Sequence, residues 1–315
     1  MTMTKTGSTE AGHAARPADR EPGSTDFERH RSYLIGLAYR MLGSVADAED
    51  AVQEAWIRWH RVDNSTIAEP RAFLAKTVAR LCLDQMKSAR ARRETYVGPW
   101  LPEPVLDSEA LAADTTSEYA TDLTVGLMLA LERLTPLERA AFLLHDVFDV
   151  SFGEVAELLG RNEAACRQLT ARARAHVREA RPRAEVAPAD AQRITDAFVA
   201  ALHSGKVDGF ARMLAADAVL YGDGGGKRSA ALNPIRGRDH IARFMEGVLR
   251  KFAEPIADLR TTPINGMPGL VITSASGDAQ TVAFEVVGGE VTAIYAVRNP
   301  DKLAHLGTGS AGRSH

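Results

Sequence analysis

A multidomain protein, with two all-α modules followed by an α+β domain, is the architecture the sequence predicts, on three observations. Apolar residues recur at three- and four-residue intervals through most of residues 26–181, the period of amphipathic helices. Near the middle, two short helical segments meet at Gly160, and glycine readily takes the left-handed conformation of a helix stop. Beyond Pro182 and Pro188 the pattern turns to helices and then strand-like runs at 256–263, 269–274, 281–287 and 291–298. Helices first and antiparallel strands after them indicate an α+β layer.

Composition narrows the class. A chain of 315 residues suits two or three domains. Its net charge is −3, so any nucleic-acid binding must come from local basic patches. The two cysteines, Cys82 and Cys166, lie far apart inside helical patterns. They supply neither a disulfide framework nor a zinc ligand set, which fits a reducing cytosol. The apolar runs are too short to cross a bilayer, and the first residues lack a signal-peptide core. A cytoplasmic protein, with no membrane partner, metal or cofactor, is expected.

Residues 1–25 are rich in Thr, Gly, Ala, Pro and charge, which predicts a disordered tail. The first module spans 26–94. Its first helix buries Tyr33, Leu34, Leu37, Ala38, Met41 and Leu42 and breaks at Gly43, and Ser44 caps the next. The helix 45–59 buries Ala48, Ala51, Val52, Ala55 and Trp59 and turns Asp47, Glu49, Asp50, Gln53 and Glu54 outward. Paired carboxylates can serve acid–base catalysis, but no nucleophile or metal ligand lies near; a solvated face or a dock for a basic partner suits them better. A third helix, 71–87, runs into the basic stretch Lys87, Arg90, Arg92 and Arg93, an electrostatic footprint for phosphates.

Residues 95–124 form a linker, part of a longer stretch, 94–132, that holds acidic residues and no Lys or Arg. Such a strip can thread a basic channel or lie over the protein's own basic faces. Within it the prolines of Trp100-Leu101-Pro102-Glu103-Pro104 enforce extended backbone, and the Trp is an anchor for a pocket or a staple to the first module. The second module, 125–181, opens with a helix near 125–134, then Thr135-Pro136, a cap followed by a first-turn proline. His145 and Asp146 beside its core read as a satisfied structural pair. Phe152, Val155, Ala156 and Leu159 form the buried face of the short helix before Gly160; Asn162 caps the next, which carries Arg167, Gln168, Thr170, Arg172 and Arg174. Two helices around a tight glycine turn, the second polar and basic, can place a recognition helix in a major groove, or form an ordinary solvated hairpin.

Asp47-Ala48-Glu49-Asp50-Ala51-Val52-Gln53-Glu54-Ala55-Trp56 resembles the region 2 signature of bacterial extracytoplasmic-function (ECF) sigma factors, the helix 73–87 resembles their −10-reading segment, and the helix-turn-helix resembles region 4, which reads the −35 element. The resemblance implies that Asp47, Asp50, Gln53, Glu54 and Trp56 dock on the β′ clamp helices of core RNA polymerase. It implies that Lys76, Arg80, Lys87, Arg90, Arg92 and Arg93 face promoter −10 DNA, that Arg167, Gln168, Arg172 and Arg174 face the −35 element, and that region 4 meets the β flap. Many members carry Arg-Asn where this chain has Ala79-Arg80, so their −10 preference does not transfer.

A hinge, 182–189, leads to a C-terminal domain, 190–304, and a flexible tail, 305–315. The domain is expected to contain helices 191–204, 207–215 and 240–252 and a strand 218–221, with a glycine turn at Asp223-Gly224-Gly225-Gly226-Lys227. The turn lacks P-loop spacing, so a lysine contact to another domain is its expected use. This order resembles the SnoaL-like branch of the NTF2-like cone fold. The motif at 100–104, Asp223–Lys227 and Asn299-Pro300-Asp301-Lys302-Leu303 resemble signatures of the SigJ-type subgroup of ECF factors, which carries such an extension. The resemblance implies regulation through the fused domain, with Trp100, Pro102, Pro104, Asp223, Lys227, Asn299, Asp301 and Lys302 as interdomain residues. The same fold also hosts cyclases and isomerases, so a small-molecule sensor or enzyme is the other reading, with Tyr221, Asp223, Asp239 and His240 as candidate polar groups of its pocket.

Overall fold

The computed structural model describes residues 22–63, 66–106, 108–180, 186–251 and 255–306. Three helices open the chain: α1 (Pro22–Leu42), α2 (Val45–Trp59) and α3 (Pro70–Glu94). The first begins inside the stretch predicted as a tail, so only residues 1–21 of that tail lie outside the described residues. The second module comprises α4 (Val125–Glu132), α5 (Pro136–Phe142), α6 (Phe152–Leu159) and α7 (Glu163–Ala180). Thr135 and Ser151 each close a capping box, with Glu138 and Glu154, so both starts satisfy their own orphan N–H groups. Between α5 and α6 the chain makes a wide π turn, Leu143–Val147, which the helical pattern did not indicate.

The two modules are packed together and share one core. Leu37, Met41, Val78, Leu131, Phe142 and Val147 belong to a single buried cluster. Polar groups pin the seam: Arg139 of α5 donates to the Met41 carbonyl at 2.7 Å, and Tyr33 to the Phe148 carbonyl at 3.2 Å. The acidic linker takes part through its backbone. Arg40, fully buried in α1, donates to the carbonyls of Leu111 and Ala120 at 2.9 and 2.7 Å. Burial pulls its guanidinium down to about 10, still charged at neutral pH and neutralised here by peptide dipoles.

The C-terminal domain contains α8 (Pro188–Ser204), α9 (Asp208–Ala211), β1 (Leu214–Asp223), β2 (Ile235–Arg236), α10 (Arg238–Lys251), β3 (Ile256–Thr261), β4 (Gly269–Ser274), β5 (Ala279–Val287), β6 (Glu290–Val297) and α11 (Pro300–Leu303). The strands form one sheet in the order β2-β1-β6-β5-β4-β3. Two expectations need correction. The helix predicted at 207–215 is one turn only, because Leu214 and Ala215 already belong to a ten-residue β1. The sheet is not purely antiparallel, since β1 and β6 pair in parallel.

Strands alternate side chains between faces, and here both faces are apolar. One face, with Leu220, Ile272, Val282, Phe284 and Ile294, covers the domain's own helices through Phe198 and Phe210, whose rings lie 5.1 Å apart. The opposite face, with Val271, Ala283, Ala293, Tyr295 and Val297, buries Leu101 of the linker and Val125 of α4. The extension therefore packs directly onto the helical part. Gly126 makes the approach possible, because a Cβ there would lie 2.7 Å from the Glu285 carboxylate.

Glu285 is held above the ordinary carboxylate range by burial, helped by the nearby Asp122 charge and opposed by hydrogen bonds from Tyr295 (2.8 Å) and Thr292. The folded protein then holds a proton where the unfolded chain has lost it, so stability falls as pH rises through the raised value. Glu285→Gln stays neutral and should flatten that fall, read from thermal midpoints between about pH 4 and pH 8; an unaltered slope would contradict the assignment.

Candidate functional site

The acidic surface is built on α2. Ser44 caps it by accepting from the Asp47 N–H at 3.1 Å, and the buried face is the predicted Ala48, Ala51, Val52, Ala55 and Trp59. Asp50 and Gln53 are exposed; Asp47, Glu54 and Trp56 are half-buried. Glu54 pairs with Arg58 at 2.9 Å and the Trp56 ring lies tilted against His60 at 4.2 Å, both contacts running along the helix. A carboxylate from the linker completes the cap. Glu103 accepts from the Val45 N–H at 2.6 Å, satisfying a first-turn donor at the positive end of the helix dipole.

The two sets of DNA-facing candidates stand differently. In α3, Lys76 is turned onto the first helix of the helix-turn-helix, 3.3 Å from Glu157 and 3.8 Å from Glu154. Arg80 is exposed. Lys87, Arg90, Arg92 and Arg93 lie on the same helix, and their side chains fall outside the described residues. In the second module α6 stops at Gly160 (φ 61°), and Asn162 caps α7 by accepting from the Ala165 N–H at 2.8 Å. Gln168 and Arg172 are exposed on the outer face, Arg172 with only a loose 3.8 Å contact to Glu138. Arg167 is also exposed but held by Glu163 at 2.7 Å and laid over the Phe152 ring. Arg174 is not free to follow them: it forms a two-pronged pair with Asp146, both contacts 2.8 Å. Asp146 also keeps its expected neighbour His145, 4.0 Å away, while His145 hydrogen-bonds Val150 and stacks on Phe152.

Between the helical part and the extension lies a buried polar latch. Asp223, fully buried at the end of β1, accepts from the Tyr96 hydroxyl at 2.5 Å, the Leu101 N–H at 2.9 Å and the Lys302 ammonium at 2.7 Å. Lys302 also donates to the Leu101 carbonyl and sits over the Trp100 ring, 4.3 Å from its centroid. Asn299 caps α11 and donates to Tyr96 at 2.8 Å. Burial pushes the Tyr96 hydroxyl well up, and its bond to Asp223 adds to the rise, so it stays a donor. The Trp100 ring rests on Gly43, where any Cβ would strike it. Pro104 accepts from His305 at 2.8 Å, while Pro102 is buried.

Lys227 departs from expectation. It pairs with Asp301 at 2.6 Å inside its own domain, because the glycine turn points it along the sheet edge; the lysine that reaches the linker is Lys302. A second buried link is Asn265 (φ 52°), which donates to the Tyr39 hydroxyl and the Leu123 carbonyl at 2.8 and 3.0 Å and accepts from the Val105 N–H at 3.0 Å. It thereby touches the first module, the linker and the approach to the second.

Family profiles match three segments: Sigma-70 region 2 over residues 27–92, Sigma-70 region 4 over 125–177 and SnoaL-like domain over 195–305. The chain is 40% identical over 293 residues to ECF RNA polymerase sigma factor SigJ of Mycobacterium tuberculosis, covering 89% of this chain and 92% of that one. It belongs to the ECF RNA polymerase sigma factors. The probable ECF sigma factor SigI of the same species is 32% identical over 298 residues, 93% of this chain and 100% of that one. The crystal structure of M. tuberculosis SigJ superposes with a TM-score of 0.68 at 37% identity, over 90% of this chain and 99% of that one. Among the described residues, no helix of this sigma factor is long and apolar enough to cross a membrane.

Sequence reasoning missed Tyr39, Arg40, Tyr96, Glu103, Arg139 and Asn265. Each acts through a partner tens of residues away or more, as in the 226-residue separation of Tyr39 and Asn265, and no local pattern marks such pairs. Two left a trace: Asn265 in Asn265-Gly266, a turn dipeptide, and Glu103 in the motif at 100–104, which did not indicate its role as a cap.

Two outcomes follow. Asp223→Asn leaves Lys302 without its counter-charge in a buried site and should cost about 3–5 kcal/mol in urea unfolding, whereas Asp223→Leu with Lys302→Met should recover most of it; equal losses would deny the pairing. In region 4, Arg172→Ala should weaken binding to −35 duplex DNA and lower the salt slope by about one with stability unchanged. Arg174→Ala should instead destabilise the fold by about 1–3 kcal/mol. Identical behaviour of the two variants would refute this division.

Proposed function

We propose that this ECF sigma factor carries its own regulator and is held closed by it, with region 2 and region 4 folded against each other until core RNA polymerase engages. The observation that carries the reading is the contact of Lys76, on the −10-facing helix, with Glu154 and Glu157 of the helix-turn-helix. A cation meant for promoter phosphate is engaged by the other DNA-reading module, and modules sharing one core cannot lie on promoter elements set apart along a duplex.

The exposed face of α2 is the entry point for polymerase. Asp50, Gln53, Glu54 and Trp56 present carboxylates and an aromatic edge, suited to a basic coiled coil such as the β′ clamp helices. Docking there stabilises the open form, region 4 is freed toward the β flap, and Gln168 and Arg172 become the residues that address −35 DNA. The SnoaL-like domain acts in this scheme as a clamp. The Asp223–Lys302 latch and Asn265 hold the linker that joins the two modules, so the closed–open balance is set where the extension meets the linker.

Turnover by the extension is the weaker reading. Tyr221, Asp223, Asp239 and His240 are absent from the lining of its apolar cavity, whose polar members are Ser229, Gln280 and Arg298. Among the described residues no acid–base pair lines it.

Asp50→Lys should weaken core-polymerase binding at least about tenfold by fluorescence anisotropy, a loss of roughly 1.4 kcal/mol. Asp223→Asn in the full chain should lower the core concentration needed for half-maximal run-off transcription. Unchanged affinity in the first case, or an unchanged titration in the second, would reject docking or clamping respectively.

A further inference from the structure

The SnoaL-like domain encloses an apolar cavity of about 180 Å³, between the helix-facing side of the sheet and α10. Leu220, Phe244, Val282 and Ala296 contribute to its walls, and Gln280 and Arg298 stand among the lining. The volume suits one aromatic ring or a medium acyl chain, because apolar cavities of roughly 150 Å³ admit benzene. Arg298 gives one nitrogen to the Ser229 carbonyl at 2.6 Å. Among the described residues no carboxylate pairs with it, so a cationic head-group position remains at the edge of an oily chamber. Arg243, Arg250 and Lys251 border a groove that shares Phe244 and Val248 with the cavity, which adds positive charge to the approach.

Residues Ser229, Ala230 and Ala231 close one side of the cavity, and the segment they belong to is tied down at both ends. Arg228 pairs with Asp278 on the turn before β5, and Gly222 admits the returning chain, since a Cβ there would lie 2.9 Å from the Ala231 nitrogen. The residues immediately before this cover are the latch itself. Asp223 binds Tyr96, Leu101 and Lys302, the Gly225 position is filled by Asn299 and Tyr96, and Gly226 lies against Val97. At the far end Leu232 rests on Gly98 of the linker, 3.7 Å from a Cβ built there. One continuous segment, 223–232, is therefore both the wall of the cavity and the grip on the sigma linker.

The geometry points to an effector site: the cavity takes a small apolar monocarboxylate, its chain or ring against Leu220, Val282 and Ala296 and its carboxylate on Arg298, and occupancy shifts residues 229–231 and loosens the Asp223 latch. A carboxylate bound to the free nitrogens draws the Arg298 guanidinium into the cavity and away from the Ser229 carbonyl, since a charged pair is the stronger partner. Losing that bond frees the cover on the side that leads back to Asp223. The binding half stands by itself; the coupling half rests on the clamp reading given above.

Octanoate is the probe, with octylamine and 1-octanol of matched chain length as comparators, titrated calorimetrically into the full-length protein. Octanoate should bind saturably at one site and at least about tenfold more tightly than octylamine. Ala296→Phe, which fills the cavity, should abolish binding, and Arg298→Gln should erase the preference for the acid over the alcohol while leaving the thermal midpoint near that of the parent. Equal affinity for acid and amine, binding that survives both substitutions, or no saturation would overturn the site; should Ala296→Phe fail to fold, Arg298→Gln decides. Hydrogen exchange of residues 96–105 and 223–232 should speed up at saturating octanoate and not in Ala296→Phe, and unchanged exchange with octanoate bound would overturn the coupling. If Asp223→Asn leaves transcription unaltered while octanoate binds and exchange responds, the clamp reading fails and the effector site stands.

Discussion

A sheet that is apolar on both faces must be covered on both, and the arrangement of this sigma factor follows from that constraint. The domain's own helices can cover only one face of β5 and β6. Ala283, Ala293, Tyr295 and Val297 on the other would form an exposed patch of the kind soluble proteins avoid. Leu101 and Val125 fill that need, and they come from the linker and from the start of region 4. Hydrophobic burial thus chooses what the extension sits on, and the choice places it against the segment that joins the two DNA-reading modules.

Burial supplies little direction, and the polar links supply it. Asn265 and Asp223 are both fully buried, so each must find partners, and a wrong register would leave donors and acceptors unmet at about 1–3 kcal/mol apiece. Asn265 meets the Val105, Leu123 and Tyr39 groups together, which only one docking pose allows. The left-handed conformation at Asn265 is tolerable for asparagine. Glu103 then carries the linker's position into region 2 by capping α2. A chain of short-range contacts runs from the sheet to the helix that presents the acidic surface, and it needs no moving part other than the linker.

Much of this was legible in the sequence. The α2 face, the caps at Ser44 and Asn162, the stop at Gly160 and the alternating strands all rest on local rules, and the family motifs mark Trp100, Asp223, Asn299 and Lys302 as a group. The illegible part is pairing across distance. Lys227 and Lys302 look equally able to reach another domain, and only the fold shows that Asp301 takes the first and Asp223 the second. Arg174 looked like its exposed neighbours on α7, yet a π turn that no pattern announced brings Asp146 to it. The parallel contact of β1 with β6 likewise depends on the path between them, not on the composition of either strand.

The central claim is that the extension keeps region 2 and region 4 together in the free protein. Spin labels at Arg61→Cys and Glu179→Cys, both exposed positions, can report this, since Cys82 and Cys166 are buried and escape labelling. Pulsed dipolar spectroscopy should give one short distance for the free protein, and a longer one once core RNA polymerase and promoter DNA are added. The same distance in both states would contradict the account.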